Sequence, residues 1–181
     1  MSGVLKDFLK HSLSQGSVVD FGEIPDISLY MDQLTTFIDE RLKGYARVKN
    51  DKILTKTMIN NYTKDNILPP SNKKRYDKEH IALLILIYHL KSSLTINDIS
   101  AVFDIMEEEG ISVETVYRAF TKMQQEQKAL LNERIDEIVG ELSQIAGDDA
   151  VKGLFAILNL AAEASARKLL AERLIDYCSG E

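Results

Sequence analysis

The chain has 181 residues, of which 45% are hydrophobic and 28% charged, as in an ordinary folded globular protein. Nine Gly and three Pro leave little room for an all-β fold, and long stretches rich in Ala, Leu, Glu, Lys and Gln favour helix. The single cysteine, Cys178, excludes an internal disulfide and a cysteine zinc site. We therefore expect a mainly α protein.

The charge is unevenly distributed along the chain. The net charge is −6, but residues 41–80 carry 11 Lys and Arg against 4 Asp and Glu, a balance of +7. The remainder carries 11 against 24, a balance of −13. A basic block inside an acidic chain can attract phosphates locally. The alternative interpretation is a solvated basic face.

Neither the N-terminal residues nor the apolar runs of the chain have the pattern of a membrane-targeting or membrane-spanning segment. Residues 1–16 lack the basic start and apolar run of a signal peptide. The most apolar run, 153–162, is too short to span a bilayer and contains Asn159. We expect a soluble, cytoplasmic protein.

The first 53 residues predict two helices separated by a loop. Apolar residues at helical spacing predict a helix over 4–13, and residues 17–25 have no clear period and indicate a connecting loop. A second helix is predicted over 28–44. Its apolar stripe consists of Tyr30, Leu34, Phe37, Ile38 and Leu42. Residues 45–53 then indicate a loop with a turn at Asn50-Asp51.

A short polar helix is predicted over 55–65, with Thr55 as its N-cap. Ile59 and Tyr62 fall on one face and should pack inward. Four polar residues lie largely on other faces: Lys56, Asn60, Asn61 and Lys64. Pro69-Pro70 should end this element.

The next segment, 71–76, contains three consecutive cations and indicates a basic loop or a tight two-stranded turn. Asp77 should cap a helix whose residues 83–90 are so apolar that it must be central to the core. Thr95 and Asp98 have the spacing of a capping box and predict a further helix that continues to Gly110.

Two long helices are predicted for the last 70 residues. The first runs over 112–146, and its apolar side consists of Val116, Phe120, Met123, Leu131, Ile135, Ile138, Leu142 and Ile145. Gly147-Asp148 should break it and cap a second helix that ends near Tyr177. The apolar residues of the second helix are Val151, Leu154, Phe155, Leu158, Leu169, Leu170, Leu174 and Ile175. So large an apolar surface predicts dimerisation or ligand binding by residues 111–181.

The order of these elements resembles the MerR-like winged helix-turn-helix. That family's recognition helix ends in a pattern close to T-L-R-Y-Y-E-x-x-G-L-L-P-P, and residues 58–70 read M-I-N-N-Y-T-K-D-N-I-L-P-P, with Tyr62, Leu68, Pro69 and Pro70 matching. The stretch TKTMINNY…KKRYDKEHI…LIYHLK…LTINDI looks still closer to an uncharacterised bacterial family, a domain of unknown function with MerR-like character. The resemblance covers about residues 26–106.

Three positions depart from the pattern. The family's arginine falls on Asn60 and the first of its two tyrosines on Asn61. Its glycine falls on Asn66, which tolerates a left-handed conformation.

The resemblance implies a DNA-binding surface on the polar helix and the basic wing. Its cations, which can neutralise phosphates, are Lys56, Lys64, Lys73, Lys74 and Arg75. Asn60 and Asn61 could pair with an adenine edge in the major groove. Tyr76 would pack its ring against the wing and donate its hydroxyl to a phosphate, or would serve only the core.

The sequence contains no pattern that indicates catalysis. His11, His80 and His89 have no metal-binding spacing, and no nucleophile elbow, phosphate-binding glycine loop or dinucleotide fingerprint occurs. We therefore expect no enzyme activity, no cofactor and no metal.

We expect a MerR-like DNA-binding transcriptional regulator with three parts. Residues 1–25 form a helix and loop, 26–110 the winged helix-turn-helix that binds double-stranded DNA, and 111–181 the helices that form a homodimer or hold a small-molecule effector. Two-fold pairing would bring two recognition helices to successive major grooves. The alternative is a helical protein–protein interaction module that keeps this fold without DNA binding.

Overall fold

The computed structural model describes residues 2–47, 52–145 and 148–180. Within these ranges the chain forms seven α-helices and one two-stranded antiparallel sheet, which confirms the expected mainly α fold. The elements are α1 (Ser2–Gln15), β1 (Leu29–Tyr30), α2 (Met31–Leu42), α3 (Lys56–Lys64), β2 (Arg75–Tyr76), α4 (Lys78–Leu90), α5 (Ile96–Glu108), α6 (Val113–Ser143) and α7 (Asp149–Ser179). Short 3-10 turns occupy Phe21–Glu23 and Lys43–Tyr45.

Helix α4 forms the centre of the core, as its composition predicts. Residues 80–87 are all buried, so the helix is enclosed on every side over two turns. Asp77 caps it by accepting a hydrogen bond from the amide of His80 at 3.1 Å. Because α4 follows directly from β2, the core fixes the position of the strand that precedes it.

The core extends beyond the predicted 26–110 unit on both sides. Val19, Phe21 and Ile24 are buried, so the segment 17–25, predicted as a simple connecting loop, in fact contributes a 3-10 turn and three core side chains. Tyr117 of α6 is fully buried, and its hydroxyl donates to the carbonyl of Val19 at 2.8 Å. Burial raises the pKa of Tyr117, which keeps the hydroxyl protonated as a donor.

The second predicted helix begins later than expected. Leu29 and Tyr30 are extended and pair with Tyr76 and Arg75 of β2, so α2 starts at Met31 instead of Ser28. Leu34, Ile38 and Leu42 are buried as predicted. The helix ends at Leu42 before a 3-10 turn. The turn predicted at Asn50-Asp51 lies outside the described residues.

Helix α1, longer than the predicted 4–13, packs along α6. Its end also meets the 3-10 turn after α2 so closely that a Cβ on Gly44 would lie 1.9 Å from the carbonyl oxygen of Gln15. Glycine is therefore required at Gly44 for this approach. Lys6 and Lys10 both contact Asp136 of α6 at 2.9 Å.

Helices α6 and α7 correspond to the two long predicted helices, and Asp148 caps α7 as expected. The break predicted at Gly147 falls outside the described residues. Arg134 joins the pair through Glu163 of α7 at 2.7 Å. Along α6, Ile135, Ile138 and Leu142 are buried, whereas Met123, predicted on the same apolar side, is 58% exposed.

Most of the apolar residues predicted for α7 face solvent. Exposed among them are Val151, Leu154, Phe155, Leu158, Leu169, Leu170 and Leu174, and Ala156 is the one α7 side chain that is fully enclosed in the described part of the chain. None of the described helices has the length and apolar character needed to cross a membrane.

Candidate nucleic-acid interface

A tight two-residue hairpin carries the basic residues that precede α4. Asn72 and Arg75 exchange two backbone hydrogen bonds, at 3.1 and 2.9 Å, around the turn residues Lys73 and Lys74. Both turn residues have positive φ, at 49° and 63°, which is the geometry of a type I′ turn. The tight two-stranded turn is thus confirmed. Its exposed tip consists of two lysines.

Lysine is an unusual residue for these two positions. Asn and Gly are preferred in a type I′ turn, since a side chain with a Cβ loses roughly 1–2 kcal/mol in the left-handed region. Strained residues of this kind concentrate at functional sites. Within the described residues neither Lys73 nor Lys74 takes part in an ion pair. Both charges are therefore available to an external anion.

The base of the hairpin is fixed by Tyr30. The guanidinium of Arg75 lies 4.8 Å from the centre of the Tyr30 ring, and its Nη2 donates to the Tyr30 hydroxyl at 2.8 Å. Tyr30 is half exposed, and Arg75 is exposed beside it. Ring stacking and the hydrogen bond together hold the cation in one orientation. The predicted helix stripe includes Tyr30, and helical spacing does not reveal this role.

Tyr76 has a different environment from its neighbour. It is only 6% exposed, and its ring meets the ring of His80 edge-on, with centroids 5.7 Å apart. Strand alternation explains the difference, since Arg75 and Tyr76 point to opposite faces of the sheet. Its burial gives Tyr76 the core role, and we do not count it among the residues that face a partner.

Asp77 and His80 hold the exit of the hairpin. The Nδ1 of His80 lies 2.7 Å from Oδ1 of Asp77. Burial acts to raise the pKa of Asp77, but the hydrogen bonds from His80 outweigh it and keep that pKa below its usual value. Lys78, which belongs to the basic block of the sequence, pairs with Asp26 at 2.7 Å and lies over the Phe21 ring. It therefore serves as an internal tie.

Helix α3 presents a polar face to solvent. Thr55 caps it by accepting from the Met58 amide at 3.2 Å, and Ile59 and Tyr62 are buried, all as predicted. The opposite face is exposed and contains Lys56, Thr57, Asn60, Asn61 and Lys64. Thr57, at the centre of that face, was not predicted, although the helical period would have found it.

Helix α3 ends at Lys64, and Asn66 turns the chain two residues later, before the Pro-Pro pair. Asn66 has φ 58°, and the amides of Ile67 and Leu68 both donate to the Tyr62 carbonyl, at 2.9 and 3.1 Å. This is a left-handed helix end that satisfies a terminal carbonyl. Asn66 stands where the MerR-like pattern has glycine, and it adopts the left-handed conformation that glycine favours.

The start of α3 and the base of the hairpin are tied to the same short segment. Lys56 forms an ion pair with Asp32 of α2, and Arg75 is held by Tyr30, two residues earlier in the chain. The Lys56 pair is solvent-exposed and contributes little stability. It nevertheless shows that α3 begins close to the hairpin. The predicted site residues, apart from Tyr76, therefore lie on two exposed surfaces, and one side chain of each surface, Lys56 or Arg75, is held by residues 30–32.

A polar groove of about 540 Å³ lies beside the hairpin. It is lined by Ser28, Tyr30, Asn72, Lys73, Arg75 and Asp77. Two cations, two hydroxyls and an amide can donate to the oxygens of a phosphate group, against the single carboxylate of Asp77. The groove and the hairpin tip together make a surface suited to a polyanion.

The fold and this surface define a mainly helical protein with a small cationic hairpin beside a polar helix. A family model described as "Domain of unknown function (DUF1836)" matches residues 19–120. The chain belongs to this family. The match begins at Val19 and ends just beyond Tyr117, the two residues joined by the buried hydrogen bond. No curated protein and no solved structure matches the chain.

Proposed function

We propose that this protein is a DNA-binding transcriptional regulator that works as a homodimer. The observation that carries the proposal is the pair of lysines held at positive φ on the hairpin tip, next to the exposed polar face of α3. Helix α3 would enter the major groove, and the hairpin would act as a wing against the backbone. The order helix, hairpin, helix, helix over residues 56–108 is the order on which the MerR-like resemblance rests.

The roles divide between positioning and reading. Lys64, Lys73, Lys74 and Arg75 would neutralise phosphates, and this would make the affinity strongly dependent on salt. Asn60 and Asn61 would face the base edges, where an Asn side chain can pair with adenine through two hydrogen bonds. Lys56 would exchange its exposed pairing with Asp32 for a phosphate.

The outer face of α7 supports the homodimer. One stripe along this helix consists of residues separated alternately by four and three positions: Val151, Phe155, Leu158, Ala162, Ser165 and Leu169. The four large side chains of this stripe are 37–55% exposed. Small Ala162 and Ser165 at its middle would allow two α7 helices to approach closely. We propose that a second copy of the chain covers this stripe. Such a dimer would act in the cytoplasm and bind DNA sites that have two-fold symmetry.

Selection from a pool of random duplex DNA tests the proposal. The wild-type chain should enrich a sequence with two-fold symmetry, and the triple variant K73A/K74A/R75A should enrich it poorly. The matched control is K122A/K152A/R173A, which removes the same number of cations from α6 and α7 and should behave like wild type. Failure of the wild-type chain to enrich any sequence at low salt would contradict DNA binding and favour a protein-interaction module.

A further inference from the structure

Helix α7 bridges two packing sites and leaves a space beneath its middle. Near its start, Ala156 is buried against Ile138 and Leu142 of α6. Near its end, α7 packs against α5, where Ile175 faces Ile105 across a shallow cleft. Between these two sites the helix spans a cavity of about 480 Å³, which lies within the size range of small-molecule sites.

The walls of this cavity are mostly apolar. The end of α4 and the loop after it contribute Leu90 and Leu94, and α6 contributes Phe120 and Leu131. The cavity thus lies at the boundary between the family domain, which ends at residue 120, and the helices that follow it.

The inner face of α7 is built from residues that leave space. Leu160 closes one end, and the positions that follow it toward the cavity are Ala164 and Ala171. A leucine at either alanine would extend into the cavity, since both line it. The empty volume is therefore a consequence of small side chains on a helix anchored at both ends.

The mouth of the cavity carries an excess of positive charge. Glu163, the one acid among the described residues that line it, is bound by Arg134 at 2.7 Å. Lys168 contacts Glu172 at 3.3 Å. The Arg167 guanidinium donates to the neutral Oε1 of Gln127 at 3.2 Å, and no described carboxylate lies within salt-bridge distance of it. Arg167 is thus free to bind a carboxylate, for which its geometry is well suited.

His89 adds a polar group to the apolar wall. Its ring packs between Tyr45 and Phe120, with centroids 4.8 and 5.8 Å away, and within the described residues it makes no hydrogen bond through its side chain. Burial lowers the pKa of His89 to about 4, so the ring is neutral at pH 7 and keeps one N–H donor. A ligand in the cavity would meet an unused donor on this wall.

We propose that this cavity binds a small organic acid with an apolar body, whose carboxylate pairs with Arg167 at the mouth. The apolar body lies between α4, α6 and the inner face of α7. This site is separate from the hairpin and from the outer stripe of α7, and its occupation does not depend on DNA binding.

Titration calorimetry of the full chain with octanoate and with 1-octanol tests the proposal. Octanoate should bind with one site per chain, about tenfold more tightly than octanol, because only the acid pairs with Arg167. The variant Arg167→Gln should remove this preference, and Arg173→Gln on the exposed end of the same helix should retain it. Absence of octanoate binding up to millimolar concentration would overturn the proposal.

Filling the cavity locates the binding. Ala164→Leu and, independently, Ala171→Leu should each weaken octanoate at least about tenfold, since the apolar body loses its space. The matched control Ala161→Leu makes the same change at an exposed position of α7 that belongs neither to the cavity lining nor to the outer stripe, and it should leave octanoate affinity unchanged. If both inner variants bound octanoate as tightly as wild type, the acid would lie elsewhere and the cavity assignment would be wrong. Circular dichroism of each variant checks that it folds.

Discussion

Arg75 is the hairpin cation whose orientation is most fully determined. Tyr30 stacks under its guanidinium and accepts a hydrogen bond from it, while the β1–β2 pairing fixes both backbones. A cation held in this way loses less conformational freedom when it meets a phosphate than a free lysine does. Tyr30 is therefore a positioning residue for the proposed DNA interface.

Substitution of Tyr30 should weaken DNA binding in two steps. Tyr30→Phe keeps the stacked ring and loses the hydrogen bond, and we expect about a threefold loss of affinity; Tyr30→Ala loses both and should cost about tenfold. Fluorescence anisotropy with the selected duplex measures this. Tyr177→Ala, at an 82% exposed position near the end of α7, is the control. Equal affinity for wild type and Tyr30→Ala would show that Arg75 needs no support.

His89 should make the stability of the fold sensitive to acid. Its folded-state pKa of about 4 lies below the ordinary value of 6.5, so between these pH values the unfolded chain binds a proton that the folded chain excludes. The contribution of the neutral ring is complete above about pH 6.5 and is lost as the pH falls toward 4, by up to about 3 kcal/mol.

Urea unfolding at pH 7 and pH 5 tests this expectation. His89→Phe keeps a ring in the same place but cannot titrate, so its unfolding free energy should fall less between the two pH values than that of wild type. His11→Gln, on the exposed face of α1, should keep the wild-type pH dependence. An identical pH dependence in wild type and His89→Phe would mean that His89 is not the group responsible.

At the scale of the element, the hairpin combines strain with charge. A type I′ turn made of Asn and Gly would have little backbone strain. The two lysines destabilise the turn but put two positive charges at its tip. At the end of α3, Asn66 also has positive φ, at 58°, but asparagine tolerates the left-handed conformation better than lysine does. Within the described chain, two consecutive side chains in this conformation occur only at the hairpin tip proposed to contact phosphates.

Replacing the turn by Asn-Gly should separate stability from binding. K73N/K74G should raise the free energy of unfolding by about 1 kcal/mol and weaken DNA binding, because two cations that would pair with phosphates are removed. K73R/K74R keeps both charges and should bind DNA like wild type. If K73N/K74G bound DNA as tightly as wild type, the hairpin tip would have no part in the interface.

Elements governed by local chemistry were predictable from the sequence. The structure confirms the four predicted helix N-caps, which are Thr55, Asp77, Thr95 and Asp148. An N-cap is predictable because it depends only on a side chain and a backbone amide three residues away. The central position of α4 was also correct, since a helix without a polar face has to be buried. For the basic segment 71–76 the sequence permits either a loop or a tight two-stranded turn, and the structure contains the turn.

Features that depend on distant partners were not predictable. Tyr30 joins a strand because Arg75, 45 residues later, pairs with it, and helical period cannot reveal such a partner. Tyr117 is buried by Val19 and Phe21 from the segment assigned to a loop. In α7 the pattern identified apolar residues, but it could not say whether this chain or another covers them.

The whole molecule divides between a family domain and two long helices that extend beyond it. The basic surface belongs to the first part, and the cavity and the exposed stripe belong to the boundary and the second part. A dimer formed through α7 would place the two basic surfaces on one assembly. It would also cover an apolar surface that is unusually continuous for an isolated chain.

A single charge in the stripe should dissociate the proposed dimer. Leu158→Glu places a carboxylate in the middle of the α7 stripe, where burial in a dimer would leave it unpaired, and we expect a monomer by sedimentation equilibrium. Leu174→Glu makes the same change at a 62% exposed position outside the stripe and should remain dimeric. A monomeric wild-type chain at micromolar concentration would contradict the proposed dimer.

The salt dependence of DNA affinity tests the central claim most directly. For the selected duplex, the logarithm of the association constant should fall linearly with the logarithm of the salt concentration. K73A/K74A/R75A should reduce the magnitude of that slope by about two to three, since each phosphate that a cation neutralises adds about 0.9 to it, and K122A/K152A/R173A should leave the slope unchanged. The same slope for wild type and the hairpin variant would contradict the assignment of this surface to DNA.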